Sequence, residues 1–148
     1  MVAGFGYRVT AEPKTPRETL KEILKIQLMK DAKERFEVPI NQSEFEKAKD
    51  FLLLIFKSFK ENPPTKNELN DLSKLAVLYG RYARQKAEKT DFDAAGQAYE
   101  LAFVIDKARV RYLDNIHEAE RADERAEKWL AEAGKLKVKM ALNSFQTP

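Results

Sequence analysis

Asp114, His117, Glu120 and Glu124 follow one another at intervals of three, three and four residues, which sets four metal-binding side chains near one face of a helix. With a carboxylate from a second helix they could hold a divalent cation, as inward-facing carboxylates and histidines do in helix bundles. The composition argues against that chemistry. His117 is the only histidine, so neither a His-His metal pair nor a Ser-His-Asp triad with a histidine to spare can be built. Arg121 and Lys128 share the same stretch and would pair with these carboxylates in solvent. The chain has no cysteine, which excludes disulfides, thiolate ligands and thiol nucleophiles. Nor is there a phosphate-cradling glycine loop or a nucleophile elbow. The sequence therefore predicts a protein that is not an enzyme, with no catalytic residue, no metal and no cofactor.

The cations suggest a second chemistry. Arg81 and Arg84 stand three apart and share a helix face, with Lys86 and Lys89 close by; Lys107 and Arg111 stand four apart with Arg109 between them; Lys135, Lys137 and Lys139 follow near the end. Aligned, such residues track a phosphate backbone, and each neutralised phosphate releases counterions. Arg81, Arg84, Lys86, Lys107, Arg109 and Arg111 are the candidate nucleic-acid contacts. An ordinary solvated surface is the competing reading, because 27 basic residues face 24 acidic ones and Glu100, Asp106, Glu118 and Glu120 offset the local field. Tyr79, Tyr82, Tyr99, Tyr112 and Trp129 could stack bases, but their helical spacing favours the core or its rim.

The elements that must position these groups are helices. Thr15-Pro16-Arg17-Glu18, Ser43-Glu44-Phe45-Glu46 and Thr65-Lys66-Asn67-Glu68 each place a hydroxyl at the N-cap and a Glu three residues on, the signature of a capping box. Helices are predicted at about 16–35, 44–61 and 66–89, separated by "FEVPINQ" with Pro39 and by "ENPPT" with its proline pair. The first carries Leu20, Ile23, Leu24, Leu28 and Met29 on one stripe. A fourth helix follows the Thr90-Asp91 turn, with Phe92, Ala95, Tyr99, Ala102 and Phe103 inward and Asp106 expected at its wet edge. No Gly or Pro interrupts Gln97 to Ala133, so one long helix competes with two. The box at Asn115-Ile116-His117-Glu118 favours a break near Asp114 and a last helix ending at Gly134.

The second helix has excess apolar surface. Phe45, Ala48, Phe51, Leu52, Ile55 and Phe59 make one face, while Leu53, Leu54 and Phe56 fill the rest of the circumference. Such a helix is central in a bundle or covered by a partner. A buried strand competes for "FLLLIF", and the long helical flanks argue against it. At six residues that run is far shorter than the roughly 20 that span a bilayer. With no membrane segment and no secretory leader pattern at the start, the expected location is cytoplasmic. The organisation expected is all-α: an extended, strand-like arm at 1–14, a compact bundle of about five helices at 15–138, and a tail at 139–148.

Asp91-Phe92-Asp93-Ala94-Ala95, followed by Tyr99 and Ala102, resembles the second helix of a tetratricopeptide repeat. The stretch is also similar to the MIT fold, a three-helix relative, over Asn67 to Lys137: Ala83 to Phe92 in the first hairpin, Ala95 and Tyr99 in the second helix, and "RAEKWL" in the third. Thr90 stands where the glycine of that turn is usual. The resemblance implies an adaptor that holds a peptide or helix in the groove between helices, with Tyr79, Ala95 and Tyr99 lining it. In size, charge and helix content the chain also resembles the small helical subunits of CRISPR effector complexes, which implies backbone contacts to nucleic acid and contacts to neighbouring subunits. Two functions are therefore expected. The first is a non-catalytic assembly subunit that docks other protein subunits through Leu53, Leu54 and Phe56 and contacts RNA or single-stranded DNA. The alternative is the peptide-binding adaptor.

Overall fold

The computed structural model describes residues 15–22, 24 and 42–146. The N-terminal arm, the whole second half of the first predicted helix and the Pro39 connection lie outside the described residues. Among those described there is no strand, and the fold is all-α: α1 over 16–22, α2 over Gln42–Glu61, α3 over Lys66–Glu88, α4 over Phe92–Val110 and α5 over Ile116–Gln146.

The helix starts are written locally. At α1, Glu18 N donates to Thr15 Oγ1 (3.2 Å) and Thr15 N donates to Glu18 Oε1 (3.1 Å). The same reciprocal box opens α3, at 3.1 Å and 2.9 Å between Thr65 and Glu68. Asn115 Oδ1 accepts from the amides of His117 and Glu118, so the chain does break between α4 and α5 as its sequence predicts. Between α3 and α4 the Asp91 amide donates to Lys86 O and the Thr90 amide to Ala87 O, a Schellman stop. That stop puts Thr90 in the left-handed region at φ 63°. Asp91 then caps α4 by accepting from the Ala94 amide.

The central helix is α4, which packs against α3 and α5 along its length and against α2 as well. Ala95, Ala98 and Ala102 are fully buried, as are Ala76 and Ala83 on α3, and these small side chains let the backbones approach closely. Tyr82, Leu101 and Ile105 fill the spaces between, and Phe45 meets Tyr82 edge to face with ring centroids 6.0 Å apart. Leu20 and Leu24 of the first helical stretch join Leu52, Ile55 and Phe59 of α2 in the same core. Arg17 ties this end to α3: its Nε lies 3.1 Å from Glu68 Oε2 and its guanidinium covers the Phe59 ring.

Two expectations are corrected. Of the two alternatives for the second helix, central in the bundle or covered by a partner, the central place goes to α4 instead, because α2 buries only the Phe45, Leu52, Ile55, Phe59 stripe and leaves Leu53 and Leu54 at 65% and 55% exposure. The last helix does not end at Gly134 but runs to Gln146, so most of the segment read as a tail is helical. Gly134 keeps a negative φ and forms no left-handed cap, and Leu136, one half-turn further on, is buried against the bundle.

Candidate interaction surfaces

Asp106, expected at a wet edge, is fully buried, and the reason is its partners. Its Oδ1 accepts from Arg109 Nη1 (2.9 Å) and Arg125 Nη2 (2.7 Å), and its Oδ2 from Arg125 Nε and Trp129 Nε1 (2.7 Å each). Two guanidinium groups and an indole N–H thus replace the water a buried carboxylate would lose. The arginines are themselves anchored on α3, Arg109 Nε donating to Leu69 O (3.1 Å) and Arg125 Nη2 to Ser73 Oγ (3.0 Å). One carboxylate on α4 therefore locks α3 and α5 in register. Trp129 stacks on Tyr99 at 6.0 Å and lies against the bare Cα of Gly80.

The six predicted nucleic-acid contacts do not come together. Arg109 is largely buried in the Asp106 network and faces away from Lys107 and Arg111, the neighbours it was grouped with. Lys107 holds Asp123 at 2.6 Å and Glu127 at 3.1 Å, and these hydrogen bonds raise its pKa. Lys86 sits over the Tyr82 ring at 5.5 Å. Arg84 lies in a hollow with Glu88, Glu132 and Lys135, beside the Tyr99 phenol, whose pKa is raised by burial and then by Glu132. Arg81 is exposed on α3 and Arg111 on the far end of α4. Near Asp114, His117, Glu120 and Glu124, as elsewhere among the described residues, no three carboxylate or histidine side chains converge on a metal position.

The adaptor groove expected between α3 and α4 is closed. Ala83 and Ala95 are fully buried, so nothing of peptide size can reach Ala95 along that seam, which corrects it as a partner contact; Tyr99, stacked on Trp129, edges only the hollow beside Arg84. Tyr79 is half-buried, and burial pushes its phenol up to about 12.

An open groove lies instead between α2 and α4. Leu52, Leu53, Phe56, Leu101 and Val104 line a hollow of about 230 Å³, with Lys49 and Glu100 at its margin. Through Phe56 and Val104 it continues into a second hollow of about 350 Å³ bounded by Lys60, Phe103, Lys107, Arg111 and Tyr112. Leu53 and Phe56, two of the three α2 side chains singled out in the sequence for their excess apolar surface, line this groove. Leu54 does not line the groove.

A second cleft, about 580 Å³, opens between α3 and α5. Lys66, Asn70, Ser73, Arg121, Arg125 and Lys128 line it, with Arg109 at its floor and Glu118 and Glu124 on its wall. Sequence reasoning took Lys66 only as part of a capping box, and Arg121 and Lys128 only as solvent partners of nearby carboxylates. Arg121, Arg125 and Lys128 at i, i+4 and i+7 were legible as one face of α5.

These features define a helical bundle with a closed core and two open faces, one apolar and one cationic. Comparison with protein-family models, curated proteins and solved structures finds no significant match to the chain. Among the described residues no helix is long and apolar enough to cross a membrane.

Proposed function

We propose that this protein is a non-catalytic assembly subunit whose α2–α4 groove receives an amphipathic helix of a protein partner. The observation that supports the reading is the apolar lining of that groove, with Leu53 65% and Val104 41% exposed on its two walls. Exposed leucines and valines that face each other across a concave, otherwise packed surface are the arrangement a helix fills with its own i, i+3, i+4 and i+7 side chains. The partner's chemistry follows from the margin. Lys49, Lys60 and Arg111 outnumber Glu100 there, and the favoured helix is acidic beside its apolar stripe.

The test is selection from a displayed peptide library against the purified protein. Peptides with helical apolar spacing and a net negative charge should be enriched, and Leu53→Asp with Val104→Asp should abolish their binding. Both side chains are exposed, so the double variant should melt within about 0.5 kcal/mol of the parent. Enriched peptides that bind parent and variant equally well would refute the groove as the docking site.

A further inference from the structure

The cationic cleft between α3 and α5 carries an inference independent of the docking groove. We infer that it binds phosphate, presented by the backbone of a single-stranded nucleic acid. At its floor, Arg109 and Arg125 are fixed by Asp106, Leu69 O and Ser73, so their orientation is set before any ligand arrives. Each keeps one terminal nitrogen, Nη2 of Arg109 and Nη1 of Arg125, without an acceptor among the described residues, and both side chains line the cleft at 11% and 29% exposure. A guanidinium held at one edge by a buried carboxylate and open at the other is a ready donor for a tetrahedral oxyanion.

Around this floor stand Lys66, Arg121 and Lys128, all exposed and with no ion pair among the described residues. Five cations against Glu118, Glu124 and the buried Asp106 leave the site positive by two charges. Arg121, Arg125 and Lys128 rise along one face of α5 over about 10 Å, enough to meet more than one phosphate in sequence. The lining holds no aromatic and only one apolar side chain, Ala122, so it offers nothing on which a base or an acyl chain could rest. Backbone contact without base preference is the chemistry it can perform. The fixed donors lie below the rim, and a single strand can flex to lower a phosphate onto them where a stiff duplex cannot.

The experiment is fluorescence anisotropy of a labelled oligothymidylate with the full chain, at low and at near-physiological salt. Binding should weaken with salt. Arg121→Ala with Lys128→Ala should lower affinity and reduce the log-log salt slope by about 1.4, at roughly 0.7 for each phosphate left unneutralised on a single strand. Glu124→Gln should tighten binding, whereas Lys47→Ala with Lys57→Ala, on the exposed side of α2, should leave it unchanged. Thermal melting of every variant checks that the fold is intact. The inference is overturned by absence of binding at low salt, by an Arg121, Lys128 double variant that binds like the parent, by duplex DNA binding as tightly as the single strand, or by pyrophosphate binding without the oligonucleotide.

Discussion

Replacing Gly80 by alanine should destabilise the bundle, although the same change in an open helix stabilises. A methyl group built on Gly80 would lie 2.5 Å from Trp129 Cη2 and 2.6 Å from Cζ3, well inside contact distance. The indole cannot simply withdraw. Its Nε1 donates to the buried Asp106 carboxylate at 2.7 Å, and its ring is stacked on Tyr99. A hydrogen bond to a charged group contributes about 1.5–3 kcal/mol, and overpacking a filled core costs about 1–3 kcal/mol, so relief by either route costs about 2 kcal/mol or more. Against this, Ala in place of Gly within a helix gains about 1 kcal/mol. The net loss is about 1–2 kcal/mol, a fall in Tm of about 2–8 °C for a chain of this length. Trp129 is the only tryptophan, so its fluorescence during urea or thermal unfolding reports on the packing at Gly80 itself. Gly96 and Gly134, where an added methyl meets nothing within 4 Å, are the controls: alanine at either should raise stability by up to about 1 kcal/mol. A Gly80→Ala protein as stable as the parent would refute the packing argument.

Thr90→Gly should stabilise by about 0.5–1 kcal/mol, because the φ of 63° that strains a β-branched residue is free to glycine; a lower urea midpoint would contradict it. Asp106→Asn should cost about 3–5 kcal/mol, since it leaves the Arg109 and Arg125 guanidinium groups in the interior without their counter-charge. Denaturant titration checks that, and a loss under about 1 kcal/mol would show that water or neighbouring carbonyls replace the carboxylate.

The helices were legible where the signal is local. A threonine hydroxyl and a glutamate three residues on satisfy amides within one turn, and both boxes whose side chains are described form as written. Thr90 in place of the usual glycine was readable as a departure, and the backbone takes the left-handed conformation there regardless, because two amide hydrogen bonds close the turn. What stayed hidden depends on distance in sequence. Asp106 carries the same pattern as any surface carboxylate with an arginine three residues on, and only Arg125 and Trp129, 19 and 23 residues away, take it inside. Charge counting likewise grouped Arg109 with Lys107 and Arg111, although the helix turns Arg109 inward and the others out. The apolar excess of α2 was visible in sequence, but which of Leu53, Leu54 and Phe56 meets a groove is fixed by where α4 lies.

The position of α4 also separates the two proposed surfaces. On a helix of 3.6 residues per turn, Leu101, Val104 and Ala108 fall on one side, and Asp106, two residues past Val104, falls on nearly the opposite side. The first side lines the α2 groove, and the second holds the arginines at the floor of the α3–α5 cleft. A helix seated on one surface and a strand on the other would therefore not collide. Their free energies would add, as those of distant sites without shared partners do. Because Asp106 fixes the registration of α3 and α5 while the groove wall is built from α2 and α4, occupying either surface demands no rearrangement of the other. Two such surfaces on one rigid helix suit a connector, which holds a protein and a polyanion at a set distance, better than a switch that trades one for the other.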